Sequence, residues 1–111
     1  MSTYVFTLAI KLQYSIDVKT IETGDVMQEE YLKATIVGKV LAEFRKKKGI
    51  SQEVLSGLAD IGRTHLSAIE RGERKPTMET FYRLCLAMDT KMSDVTAEIE
   101  RRLEERENVD L

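Results

Sequence analysis

Arg63, Thr64, Ser67 and Ala68 are the residues on which a specific chemistry can be built. They fall on one side of a short helical pattern whose other side carries Leu66 and Ile69, three apart and so on a shared face. The outward side begins with a guanidinium. Its planar fork of donors matches paired acceptors such as O6 and N7 of guanine, and the hydroxyls of Thr64 and Ser67 can also meet base edges. Ala68 offers only a methyl, suited to a thymine methyl. A cluster of cations, Arg71, Arg74 and Lys75, follows directly. Other chemistries find no footing. There is no Ser/His/acid spacing, no cluster of metal ligands and no phosphate-cradling glycine loop, so no enzyme activity, metal or cofactor is expected. His65 reads as a half-exposed side chain without proton-transfer duty. Cys85, within the apolar pattern Phe81, Leu84, Cys85, Met88, reads as a core thiol.

The net charge of −2 conceals a division. Residues 1–35 hold three basic and five acidic residues, residues 36–91 eleven and seven, and residues 92–111 three and seven. The positive excess thus sits on the segment with the donor face, which is where a polyanion would be met. No apolar run reaches the roughly 18 residues of a membrane span, and the N-terminus lacks the pattern of a signal peptide. With a single cysteine, the expected compartment is the reducing cytoplasm, at the nucleoid.

The elements that must hold this face are predicted from periodicity and caps. Every even position from Tyr4 to Val18 is apolar, which predicts a β-strand with one greasy face. A lone strand needs a partner: its own domain's helices, or the same strand of a second copy across a two-fold axis. Residues 1–25 are therefore set apart as an appendage and possible dimerisation arm. Asp25 and Gln28 have capping-box spacing, predicting a first helix from about Val26 to Lys48 with the stripe Met27, Tyr31, Ala34, Val37, Leu41 and Phe44. Gly38 weakens it by about 1 kcal/mol and could kink it. Gly49 ends it. Ser51 caps a second helix, Gln52 to Ala59. Asp60-Ile61-Gly62 is a turn, and a third helix runs from Arg63 to Arg71, ended by Gly72. Thr77 caps a fourth, about Met78 to Met88. Ser93 caps a fifth, about Asp94 to Glu107, with a narrow line of Val95, Ile99 and Leu103. Two short helices joined by a tight turn form a helix-turn-helix, whose second helix is the one that enters a major groove. Residues 26–91 form that domain, and residues 92–111 an amphipathic helix with an acidic tail.

The run from Val37 to Asp89 resembles the Xre/Cro-type (lambda-repressor-like) helix-turn-helix family of phage repressors and bacterial regulators. The likeness rests on Gly49-Ile50-Ser51-Gln52-Glu53, on Ile61-Gly62-Arg63-Thr64, and on Ser67-Ala68-Ile69-Glu70-Arg71-Gly72-Glu73-Arg74-Lys75-Pro76-Thr77. It implies an all-α, five-helix domain, here with an added N-terminal β-strand. It also implies that Arg63, Thr64, Ser67 and Ala68 face the major groove, that Gln52, Arg71, Arg74 and Lys75 hold phosphates, and that Arg45 and Glu70 form an ion pair joining the first helix to the third. Two positions depart from the family pattern. Gly62 stands where Ser or Thr often caps the third helix, and Gly57 where a longer residue is common. The function implied is a sequence-specific transcriptional regulator, a repressor binding double-stranded DNA as a homodimer on a two-fold operator. Phage-type repressors and controller proteins of restriction–modification loci both share the pattern. The competing class is an antitoxin-like module with a protein partner, its DNA binding auxiliary.

Overall fold

The computed structural model describes residues 30–109, with side chains through Glu105. The strand expected at residues 4–18 and the capping box at Asp25 lie outside the described residues. Within them the chain is all-helical: α1 (Ala34–Lys47), α2 (Gln52–Ala59), α3 (Arg63–Glu70), α4 (Met78–Ala87) and α5 (Met92–Val109).

The first helix starts later than its apolar period suggests. Lys33 is its N-cap, with an extended backbone and no side-chain cap; its carbonyl accepts from the amides of Ile36 and Val37, both at 3.1 Å. Residues 30–33 are not helical, and Tyr31, placed by the pattern on the inner stripe, is 38% exposed. Packing sets this boundary, because the first turn of α1 is seated on the loop after α3. A Cβ at Gly72 would lie 2.7 Å from the Cα of Thr35. Beyond that turn Val37, Val40 and Leu41 are buried, and Gly38 leaves the helix unbroken.

Four helices end by the same device. After α1 the amide of Gly49 donates to the Lys46 carbonyl and that of Ile50 to Arg45; after α3 the amide of Gly72 donates to Ile69 and that of Glu73 to Ala68. These are Schellman closures, which need a left-handed residue just past the helix. Gly49 and Gly72 supply it at φ 72° and 78°, while Asp60 and Asp89 do so after α2 and α4. The N-caps are also local: Ser51 accepts from the Val54 amide at 3.1 Å and Thr77 from the Thr80 amide at 3.0 Å. The fifth helix begins two residues before its expected start. The Lys91 carbonyl accepts from Asp94 and Val95, so Ser93 lies inside the first turn rather than capping it.

Leu41, Leu55, Leu66, Ile69, Leu84, Met88 and Val95 meet in one core, to which all five helices contribute. Cys85 is buried among them, and burial pushes its thiol up to about 11. The fifth helix adds Val95 and Ile99 to this core and is tied to α1 by Arg102. That guanidinium forks onto Glu43 at 2.6 and 3.2 Å and donates Nε to Glu98 at 2.6 Å. Arg101 and then Arg102 hold the Glu98 carboxyl down at about 2. No helix of the described residues is long and apolar enough to cross a membrane.

Gly57 sits inside α2, and a Cβ added there would meet nothing within 4 Å. Gly57→Ala is therefore expected to stabilise the domain by about 0.5–1 kcal/mol, because alanine loses less backbone entropy in a helix. A higher urea midpoint at unchanged slope is the result to look for.

Candidate nucleic-acid interface

The third helix is held from behind by a polar clamp. Arg45 of α1 donates Nε to Glu70 Oε2 at 2.7 Å and Nη2 to Glu70 Oε1 at 3.0 Å, and its Nη1 meets the Ile50 carbonyl at 2.9 Å. Gln52, at the start of α2, donates its amide to Glu70 Oε1 at 2.8 Å. One buried carboxylate thus joins the end of α1, the start of α2 and the end of α3. The Glu70 carboxylate raises the pKa of Arg45 above its ordinary value. Beside the clamp α1 and α3 almost touch through Gly38, where a Cβ would stand 2.1 Å from the Ile69 carbonyl oxygen.

This fixes what α3 presents outward. Leu66 and Ile69 are fully buried, whereas Arg63 and Thr64 are exposed at the start of the helix. Neither makes a side-chain hydrogen bond with any described residue. Gly62, the N-cap, supplies no side-chain oxygen, so the first-turn amides stay open to an acceptor from outside. Ser67 is half-buried, and its hydroxyl accepts from Arg71 Nη1. His65 is half-buried.

Ala68 departs from the expected arrangement. It is 8% exposed and counts among the buried residues, so it is not on the open face. A methyl does not project past the longer side chains around it. Gln52 is also placed differently from a free phosphate donor, since Glu70 takes one of its amide protons.

Arg74 and Lys75 are exposed in the loop after α3. Arg71 is exposed but engaged: it forks onto Glu73 at 2.7 and 3.1 Å. Sequence reasoning does not single out Glu73. The available signal is its place two residues after Arg71, across the turn at Gly72. The Arg71 fork lowers the Glu73 pKa. Exposed Lys46, Lys47 and Lys48 add positive charge at the end of α1, with the Lys47 ammonium 5.6 Å from the Phe44 ring. Among the described residues no three His, Cys, Asp or Glu side chains are grouped to hold a metal ion.

Comparison with known proteins agrees with this architecture. Residues 41–95 match the family model described as helix-turn-helix. An HTH-type transcriptional regulator of Sinorhizobium fredii (strain NBRC 101917 / NGR234), y4dJ, itself uncharacterised, is 38% identical over 53 residues, 48% of this chain and 69% of that one. The restriction–modification controller protein C.AhdI from Aeromonas hydrophila is 31% identical with a TM-score of 0.55, over 56% of this chain and 94% of that chain. The controller protein C.Esp1396I, solved as a tetramer with its natural 35 base-pair operator, shares the fold at 24% identity and a TM-score of 0.61, over 68% of this chain and 97% of that chain. With a clamped second helix in its helix-turn-helix and relatives of this kind, the chain belongs to the Xre/Cro-type helix-turn-helix family of DNA-binding transcriptional regulators.

Proposed function

We propose that the chain is a sequence-specific repressor that occupies a two-fold operator as a homodimer in the cytoplasm, with α3 of each copy in a major groove. The observation that carries this reading is the pairing of a rigid back with an open front. Arg45, Glu70 and Gln52 fix the far end of α3, while the side chains of Arg63 and Thr64 at its near end hydrogen-bond to nothing in the described chain. The clamped helix itself loses little freedom on binding, whereas the free side chains of Arg63 and Thr64 become ordered only in the complex. Arg63 reads a guanine, and Thr64 and Ser67 contact neighbouring base edges. Arg71, Arg74 and Lys75 neutralise phosphates, which sets register and affinity but not sequence. Gln52 keeps a second amide proton for a backbone phosphate. One such helix covers only a few base pairs. Two copies with recognition helices about 34–36 Å apart would read successive grooves. C.AhdI is the controller protein of a restriction–modification system, and a controller role fits the same site.

Selection of bound duplexes from a random pool, with the mass of the complex measured, tests this. The expected result is a two-fold symmetric site holding two copies, its affinity falling steeply with salt. Arg63→Ala should cost about 1–3 kcal/mol and flatten one position of each half-site. Lys75→Ala should weaken all duplexes alike and lower the salt slope by about one. Failure to bind any duplex at low salt would instead favour the protein-interaction role.

A further inference from the structure

Arg71 holds two groups at once. Its Nε–Nη2 edge forks onto Glu73 at 2.7 and 3.1 Å, while Nη1 donates to the Ser67 hydroxyl. The backbone of Glu73 is pinned beside the last turn of α3, because its amide donates to the Ala68 carbonyl at 2.9 Å. Glu73 is also the one acid in the run Arg71-Gly72-Glu73-Arg74-Lys75. An acid in the middle of a phosphate-binding loop lowers the positive charge that a duplex meets. The two side chains are 53% and 58% exposed, and ion pairs this open add little to stability. The fold alone therefore gives the carboxylate no reason to be there.

We infer that Glu73 sets how sharply the protein tells its operator from other DNA, by occupying on Arg71 the place of a backbone phosphate. The inference deepens the operator-binding reading and rests on it. Carboxylate and phosphate offer a guanidinium the same pair of oxygens, and both are held bidentately. One therefore excludes the other from the Nε–Nη2 edge. Nη1 lies outside this contest and stays on Ser67, so the exchange leaves Arg71 attached to the reading face. On an arbitrary duplex the protein is held by charge alone. Nothing then presses a phosphate against Arg71 closely enough to displace Glu73, and the neutral pair contributes no cation. On the operator, base contacts from Arg63 and Thr64 seat α3 in the groove and fix it against the backbone. A phosphate then takes the fork, and the exposed Glu73 side chain turns out to solvent. Arg71 thus becomes a phosphate ligand only when the sequence is right.

Glu73→Gln tests this in the full chain, with the operator that the wild type selects and with an unrelated duplex of equal length. The amide keeps the length of the side chain and removes the charge that fills the fork, so Arg71 is released on every duplex. The unrelated duplex should bind about five- to tenfold more tightly at about 0.1 M salt, with a salt slope steeper by about one. Operator affinity should barely change, so the discrimination ratio falls nearly as far. Because Glu73 is exposed, the thermal melt should stay that of the wild type. In an Arg71→Ala background the ratio should no longer respond to Glu73→Gln. Glu100→Gln makes an equal charge change at an exposed position of α5 and should leave the ratio alone. Both affinities rising together would mean that Glu73 acts only through net charge, and neither moving would mean that it withholds nothing; either overturns the inference. So does a ratio that still falls without Arg71. A wild type that selects no operator removes the operator reading and this inference with it, whereas a selected operator with an unmoved ratio removes this inference alone.

Discussion

Glu70→Ala is expected to destabilise the domain by about 3–5 kcal/mol, the largest loss of any single substitution considered. The Arg45 and Glu70 side chains are only 11% and 6% exposed. Removing the carboxylate leaves a buried guanidinium with the Ile50 carbonyl as its remaining partner, and it strips the Gln52 amide of its acceptor. An uncompensated buried charge costs about 3–5 kcal/mol, against a total stability of about 5–15 kcal/mol for a domain. The melting temperature should fall by on the order of 20 °C. Replacing the whole pair tells charge from volume. Arg45→Met combined with Glu70→Leu should recover much of the loss, because an apolar pair of similar size carries no desolvation penalty. Calorimetry of the two variants gives both numbers. If Glu70→Ala melted within a few degrees of the wild type, the clamp would not be what holds α3.

Gly38→Ala should be the second-largest effect, and its sign runs against helix propensity. Alanine in mid-helix gains about 1 kcal/mol over glycine. At this position, however, the added methyl would stand 2.1 Å from the Ile69 oxygen and 2.8 Å from the Glu70 oxygen. Both are backbone atoms, so no change of rotamer relieves the clash and α1 must move away from α3. Overpacking of this kind costs about 1–3 kcal/mol, occasionally more, and an obstacle made of main chain belongs at the upper end. A net loss of about 2–3 kcal/mol is expected, read as a lower urea midpoint. The displacement also shifts the recognition helix, so duplex affinity should fall even where the protein is folded. An unchanged or higher midpoint would mean that the two helices do not meet as described. Gly57→Ala makes the contrast internal: the same replacement stabilises α2 because nothing faces it.

These two glycines show where sequence reasoning reaches and where it stops. A mid-helix glycine reads as a local weakness from propensity alone, since nothing nearby in the sequence states that another helix crosses there. Features with local causes are legible. Ser51 and Thr77 cap from their own side chains, Gly49 and Gly72 supply left-handed closures, and the alternation of Leu66 and Ile69 with polar neighbours fixes which side of α3 is buried. The start of α1 is not legible, because Tyr31 continues the apolar period while the seat of the first turn, Gly72 against Thr35, lies far along the chain. Periodicity misplaces Ala68 because angular position ignores reach. Gln52 can be placed at the head of α2, but its bond to Glu70 depends on a carboxylate that folding brings in from α3. The hydrogen bonds to the Lys91 carbonyl likewise decide the start of α5, although Ser93 is the better cap by type. Glu73 escapes notice because its role is geometric: the turn at Gly72 folds it back onto Arg71.

The central claim is that the outward end of α3 meets DNA while its other end stays clamped. Amide shifts recorded by NMR on adding a selected duplex test this most directly. The largest changes are expected from Gly62 to Ser67 and from Glu73 to Lys75, with Val95 and Ile99 in the core unmoved. Changes centred on α4 or α5, with Arg63 and Thr64 silent, would contradict it.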